Sequence, residues 1–249
     1  MPVSPNFTSI YSHEWEINFT QCAANGALKY VDLCNLLQLT AAEHSIVGGL
    51  SFNDMQAFDQ AWVLSRIRVE IDSLPKWQDK VVVKTWIESL QGSNSVRNIE
   101  MYLDGKKIVG ATTFWAVFNT KLRKSEPLAL AYDHFELFPD WHATSVPFSR
   151  INVFRDAETV AERKVVLSDL DIVNHVNNVK YLEWCLDVMD PKPVLQKQVQ
   201  NLEMNFLREL NLGDEVQMNV SDGEKPGFFS VTKNGKVCFV LQLEWKTNA

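Results

Sequence analysis

Two segments of this chain read alike, and the repeat constrains the fold more than any other feature. Lys29-Tyr-Val-Asp-Leu-Cys34 aligns without a gap on Lys180-Tyr-Leu-Glu-Trp-Cys185. Gln78-Asp79-Lys80-Val81 likewise resembles Gly213-Asp214-Glu215-Val216. Around each pair the pattern of residues follows one order: a short strand, a helix, then a meander of strands. Repetition of a whole supersecondary unit points to duplication. The chain of 249 residues has room for two small domains. The class expected is α+β.

In the first half, Trp15, Ile17 and Phe19 alternate with polar residues and predict a short strand. A helix is expected from Asn25 to about Ala42, with Leu28, Val31, Cys34 and Leu37 on its buried face. Gly48-Gly49 and the residues to Asp59 read as a loop or lid. Strands follow over 61–72, 80–88, 96–103 and 107–118, with a turn at Leu74-Pro75 because proline cannot continue a central strand. Asp104-Gly105 is a hairpin signal, since both residues tolerate positive φ. Residues 126–162 lack a period and contain Pro127, Pro139 and Pro147, so they read as a linker crossing the surface. The second half predicts a helix to about Asp190, with Pro191-Lys192-Pro193 as its stop. Strands follow over 197–209, 215–221, 227–233 and 236–246, with Asn234-Gly235 as a second hairpin. The expected domains are 1–125, a linker over 126–162, and 163–249.

The chemistry concentrates in Ser168–Trp184. Asp169, Asp171, Asn174, His175, Asn177 and Asn178 stand within ten residues, without a Gly or Pro to mark a simple connector. The apolar Lys164-Val165-Val166-Leu167 before them reads as a strand end. Val179, Leu182, Leu186 and Met189 after them form one helical stripe. Acid–base side chains therefore sit where a strand turns into a helix. Helix-start amides lack intrahelical partners and carry the positive end of the helix dipole. Such amides can stabilise a carbonyl oxygen that becomes negative, which suits acyl transfer or hydrolysis. Capping alone also accounts for an Asp/Asn-rich turn before a helix.

Composition narrows the classes further. Formal net charge is −7 and no long basic run appears, which argues against nucleic-acid binding. Cys22, Cys34, Cys185 and Cys238 have neither metal-ligand spacing nor disulfide density, and read as thiols in a reducing compartment. The N-terminus shows no signal-peptide pattern, and no apolar run approaches the roughly 20 residues of a membrane span. A cytoplasmic protein is expected.

The string Asp169-Leu-Asp-x-x-x-His-Val-Asn-Asn-x-x-Tyr181 resembles the active-site signature of hot-dog-fold thioesterases. Extended through Trp184, it is most similar to acyl-acyl-carrier-protein thioesterases of plants and bacteria. Trp62–Val69, Pro75–Asp79, Val83–Ile87 and Ala111–Asn119 with the basic Lys121–Lys124 resemble the first half of those enzymes. The resemblance covers about Tyr11 to Trp245. It implies two tandem hot-dog domains, each an antiparallel sheet around one helix. It also implies hydrolysis of fatty acyl-carrier-protein thioesters in fatty acid biosynthesis, with no metal or organic cofactor. The implied partners are an acyl carrier protein and a fatty acyl chain. An acyl-CoA thioesterase of the same fold, or a non-catalytic acyl-binding protein, are the alternatives. A homodimer through exposed sheet edges is left open.

Among site residues, Asp171 is the first choice for the reacting carboxylate, with His175 to hydrogen-bond the carbonyl or assist proton transfer. Backbone amides around Asn177, Asn178 and Val179 are the candidate oxyanion site. The family Asn two residues before the His is Val173 here, with Asn174 adjacent as a substitute. A family carboxylate falls at Asn205, with Glu203 two residues earlier on the same strand face. A family cysteine falls at Leu210, which disfavours cysteine catalysis. Trp62, Trp86, Trp115 and Phe118 are candidates for an acyl tunnel or for ordinary core. Lys121, Arg123 and Lys124, then Arg163 and Lys164, are candidates for docking the acidic carrier protein. The gapless repeat sets Thr20 against Asp171 and Ala24 against His175. One active site per chain is therefore expected, on the second half.

Overall fold

The computed structural model describes residues 3–152, 157–221 and 227–246. They divide into two compact units. One comprises residues 1–65 and 72–148, the other residues 66–71 and 149–249. The first unit contains β1 (Ile10–Glu16), a 3₁₀ turn (Phe19–Gln21), α1 (Tyr30–Val47) and α2 (Phe52–Gln56). β2 (Gln60–Ile71, of which residues 66–71 belong to the second unit), β3 (Lys80–Gln91), β4 (Asn94–Leu103), β5 (Lys106–Asn119) and the two-residue β6 (Lys124–Ser125) follow. The second unit contains β7 (Glu158–Lys164), a 3₁₀ turn (Leu167–Asp169), α3 (Asn178–Asp187) and α4 (Pro191–Gln196). β8 (Val199–Phe206), β9 (Glu215–Ser221), β10 (Phe228–Lys233) and β11 (Lys236–Trp245) complete it. Strand order is β1-β3-β4-β5-β2 in the first unit. In the second it is β8-β11-β10-β9-β7, with Arg66–Glu70 of β2 paired antiparallel to Asn201–Asn205 of β8. Each unit is thus an antiparallel sheet with one principal helix, as expected from the pattern. No helix among the described residues is long and apolar enough to cross a membrane.

Turn chemistry sets the hairpins. Asp104 and Gly105 have φ of 50° and 77°, and Asn234 and Gly235 have 50° and 70°. Positive φ at both central residues is the combination whose twist matches that of the flanking strands. α1 starts five residues later than the pattern predicts, because residues 22–28 are spent on a turn closed by the Cys22–Leu28 bridge. Pro191 opens α4 rather than ending α3: Asp190 caps it, accepting from the Lys192 amide at 3.0 Å. Proline suits a first helical position because that N–H has no partner to lose.

Residues 126–148 differ from the surface linker that their aperiodic sequence suggests. Phe135 is buried with Leu50, Ile87 and Leu90, and Leu128, Leu130 and Tyr132 pack against that cluster. Trp141 stacks on the fully buried Trp86 at 4.0 Å between centroids, and Trp86 Nε1 donates to the Trp141 carbonyl at 3.0 Å. The Ala143 amide donates to Asn98 Oδ1 at 2.9 Å, and its carbonyl accepts from Lys107 Nζ at 2.6 Å. A side chain at Gly48 would strike Phe135, and one at Gly110 would strike the Ala143 carbonyl, so both glycines admit this strap. The strap is held by isolated anchors, and isolated anchors leave no period in a sequence.

Beneath α1 lies a buried polar group. Arg97 donates to His44 Nδ1 at 2.8 Å and to Thr85 Oγ1 at 3.2 Å, and His44 Nε2 donates to the Thr8 carbonyl at 3.0 Å. Arginine has no acceptor, so this imidazole is neutral with its proton on Nε2. Burial first, then the Arg97 charge, lowers the His44 pKa to about 3. A histidine depressed in the folded state stabilises the fold above its unfolded pKa, and that contribution is lost as pH falls toward the folded value. Stability of the chain is therefore expected to drop as pH falls from about 6.5, before carboxylates titrate. Urea unfolding at pH 7 and pH 5 checks this: His44→Gln loses most of the difference that the parent chain shows.

Candidate active site

The turn ahead of α3 is built almost wholly from backbone. Beyond β7, Val165 is clamped by two bonds, its amide to the Asp214 carbonyl at 2.8 Å and its carbonyl from the Gly213 amide at 3.0 Å. Leu170 then pairs with Val176 across the loop. Within it the Asp171 amide donates to the His175 carbonyl at 2.9 Å, and the Asn174 amide to the Asp171 carbonyl at 3.0 Å. Asn174 takes φ of 63°, a conformation that Asn tolerates better than most residues. The Val176 amide donates to the Leu210 carbonyl at 2.9 Å, and the Asn177 amide to the Asp169 carbonyl at 2.9 Å. Asn177 caps α3, its side chain accepting from the Val179 amide at 3.2 Å.

The first unit contains the same turn. Ala23 donates to the Ala27 carbonyl at 2.8 Å, Gly26 to Ala23 at 2.8 Å, Leu28 to Pro75 at 2.8 Å and Lys29 to Gln21 at 2.9 Å. Gly26, at φ of 79°, stands where Asn174 does. Ile17 is clamped by Asp79 and Gln78 as Val165 is by Asp214 and Gly213. The amides of Asp72 and Ser73 share the Ile108 carbonyl as those of Leu207 and Arg208 share that of Cys238. This common frame pairs Asp171 with Ala23, His175 with Ala27 and Glu209 with Leu74. It corrects the gapless alignment by three residues: Thr20 and Ala24 are not the counterparts of Asp171 and His175.

The same backbone therefore forms with two alanines at these positions, so an acid and an imidazole there are not needed to build it. Asp171 Oδ1 accepts from the amides of Val173 at 2.9 Å and His175 at 3.3 Å. Its other oxygen has no hydrogen bond among the described residues. His175 Nε2 stands 3.7 Å from Glu209 Oε2, and both side chains are about a quarter exposed. Tyr181, buried against Phe206 and Phe239, has its phenol pKa raised by burial first, with Glu209 and Asp171 among the smaller causes. Two carboxylates and an imidazole thus share one corner beside the start of α3. Of the three candidate oxyanion amides, those of Asn177 and Val179 are already engaged, and the Asn178 N–H has no partner among the described residues.

Residues 8–132 match the family model for the acyl-ACP thioesterase N-terminal domain, and residues 154–247 match that for the acyl-ACP thioesterase C-terminal domain. The chain belongs to the acyl-ACP thioesterase family. It is 26% identical over 215 residues to a chloroplastic palmitoyl-acyl carrier protein thioesterase of Cuphea hookeriana, covering 80% of this chain and 52% of that one. The corresponding protein of Gossypium hirsutum is 28% identical over 224 residues, covering 84% and 54%. The chain spans about half the length of the curated relatives it matches. An acyl-ACP thioesterase structure from Bacteroides thetaiotaomicron has a TM-score of 0.87 and 28% identity, covering 96% of this chain and 98% of that one. The 12:0-ACP thioesterase from Umbellularia californica, at 18% identity and a TM-score of 0.81 over 97% and 98% of the two chains, shares the fold.

Within this family member, the residues singled out by sequence have different surroundings. Asp171 and His175 lie together at the turn. Asp169 is structural: it is buried, accepts from the Val166 amide at 2.9 Å, and pairs with Arg163 at 3.2 Å. Arg163, paired in this way and lying 4.3 Å over the Trp184 ring, is not a free docking cation. Asn174 supplies a backbone conformation. Asn205 is engaged elsewhere, its side chain accepting from the Ile151 amide at 3.0 Å and donating to the Ser149 carbonyl at 3.2 Å. Glu203 accepts from the Ser149 amide and pairs with Arg68 at 3.2 Å. Both thus hold residues 149–151, the continuation of the strap, and neither bonds to Asp171 or His175.

Glu209 was missed by sequence reasoning; its position facing His175 depends on the Val176–Leu210 bond between distant segments. In the first unit, Lys121 pairs with Asp59 at 2.9 Å and Arg123 lies 5.2 Å over the Phe118 ring. Trp62 and Trp86 donate to backbone carbonyls of their own unit, and Trp115 to Thr113 Oγ1 at 2.9 Å.

Replacing Asn205 by Ala should cost about 1–3 kcal/mol, because it leaves a buried amide and carbonyl unpaired. Urea unfolding measures that loss, and kcat should stay within about fivefold. A 100-fold fall in kcat at unchanged stability would instead place Asn205 among the reacting groups.

Proposed function

We propose that this chain hydrolyses fatty acyl-carrier-protein thioesters to free fatty acid and carrier protein, as a step of fatty acid synthesis. One observation carries the reading. Of two turns with the same backbone, the second alone bears Asp171, His175 and Glu209, where the first has Ala23, Ala27 and Leu74. Family membership and the names of the relatives support the substrate class.

In this reading the acyl carbonyl lies at the start of α3, its oxygen facing the Asn178 amide and the helix dipole. Water attacks the carbonyl carbon and gives its proton to Asp171 through the oxygen that accepts no backbone bond. The tetrahedral intermediate collapses, the C–S bond breaks, and the thiolate takes that proton. A thiol with a pKa near ~8.5 leaves readily and asks little of a general acid. His175, oriented by Glu209, hydrogen-bonds the developing oxyanion. No cofactor enters this scheme, and it takes place in the cytoplasm, where four free cysteines stay reduced.

Free-thiol release from matched acyl-carrier-protein and acyl-CoA substrates tests the proposal. Asp171→Asn should lower kcat by about 10²- to 10⁴-fold with little change in KM, and Glu209→Gln by a smaller factor. Unchanged turnover in Asp171→Asn contradicts the assignment. Preference for CoA would move the chain to an acyl-CoA thioesterase.

A further inference from the structure

Tyr181 is a buried residue of α3 to which the scheme above gives no part. Its ring packs against Phe206 of β8 and Phe239 of β11, at 5.8 and 5.1 Å between centroids. That packing accounts for the ring but not for the hydroxyl, which needs a hydrogen-bond partner once it leaves water. Leu210 supplies one. Burial, the largest cause, raises the phenol pKa, and a hydrogen bond with the Leu210 backbone works against it. A bond that favours the charged phenolate is donated to it, so the Leu210 N–H gives and the phenol oxygen accepts.

The N–H of Leu210 and the carbonyl of Glu209 belong to one planar peptide group. Leu210 is thus held at both ends, its amide by Tyr181 and its carbonyl by the Val176 amide at 2.9 Å. These bonds fix the backbone at Glu209, whose carboxylate stands 3.7 Å from His175 Nε2. The pair does not hold itself in place. Both side chains are about a quarter exposed, and an ion pair open to water gains little over the entropy of ordering it. The direction of Glu209 is therefore set by its backbone.

The first unit shows that the phenol bond is not part of the common frame. α1 and α3 start at equivalent residues, Tyr30 and Asn178, so the counterpart of Tyr181 is Leu33. The counterpart of Leu210 is Pro75, whose carbonyl accepts from the Leu28 amide at 2.8 Å. A leucine side chain has no acceptor and proline has no N–H, so both halves of the bond are missing there. The turn forms all the same. Leu74 stands there in place of Glu209, with no carboxylate to direct. Bond and carboxylate occur together in one unit and are absent together from the other.

We propose that Tyr181 is a positioning residue of the active site: its phenol holds the Glu209–Leu210 peptide so that Glu209 faces and orients His175. The inference rests on the thioesterase reading above and on the role given there to Glu209.

A double-mutant cycle on kcat tests it. Tyr181→Phe removes the acceptor and keeps the ring against Phe206 and Phe239. It is made in the parent chain and in Glu209→Ala, and kcat and KM are measured on one acyl-carrier-protein substrate, with thermal melts alongside. In the parent, Tyr181→Phe should lower kcat by about three- to tenfold and leave KM unchanged. In Glu209→Ala the same change should lower kcat by less than about twofold, since the carboxylate it directs is already gone. An unchanged kcat in Tyr181→Phe, or an equal fall in both backgrounds, overturns the proposal. A Tyr181→Phe chain that does not fold overturns it too, because the phenol would then be a requirement of the fold. Absence of turnover by the parent chain on any thioester overturns the thioesterase reading itself, and the role of Tyr181 with it.

Discussion

A closed set of backbone hydrogen bonds fixes the loop between the first strand and the principal helix of each unit. Asp171 to His175, Asn174 to Asp171, Val176 to Leu210 and Asn177 to Asp169 define it in the second unit. Ala23 to Ala27, Gly26 to Ala23, Leu28 to Pro75 and Lys29 to Gln21 define it in the first. Each such bond contributes about 0.5–1.5 kcal/mol net, and several closing on one short loop leave it little freedom. The conformational demand falls on one position, Gly26 or Asn174, which adopts positive φ. Because the backbone supports itself, the side chains at the tips of the loop are released from structural duty. The second unit uses that release to place an acid, an imidazole and a facing carboxylate. The first leaves the positions blank.

The same construction explains how the cluster is presented. Asn177 in an extended conformation ends the loop and starts α3, so the Asn178 amide has no partner among the described residues at the helix start that follows Asp171 and His175. Glu209 reaches His175 because the Leu210 carbonyl is tied to the Val176 amide one residue away. The chemistry has therefore changed on a frame that stayed constant.

Much of this was legible in the sequence where one residue type answers one local demand. Asp104-Gly105 and Asn234-Gly235 announced their hairpins through positive φ, and Asn177 announced a cap. Asp171 and His175 were visible because they crowd one short segment. The repeat was legible too, yet its register came out three residues wrong. Three residues is nearly one helical turn, so a helix slid by that amount still matches its apolar face. The register is set by the loop bonds, which involve backbone atoms and leave no mark on residue type. Glu209 is 34 residues from His175 in sequence and meets it through a backbone bond, so no local pattern could join them. Asn205 looked like a diverged carboxylate, whereas its two bonds hold residues 149 and 151.

On this frame the turn should fold without the groups proposed to react on it. Equilibrium urea unfolding of the Asp171→Ala/His175→Ala chain, assayed in parallel for thioester hydrolysis, tests this most directly, because it writes the first unit's residues onto the second unit's turn. The expected loss is no more than about 3 kcal/mol, reflecting the two amide bonds that Asp171 Oδ1 accepts, with hydrolysis reduced to background. A chain that fails to fold would show that the side chains build the turn, and a folded chain that still turns over would show that the chemistry lies elsewhere.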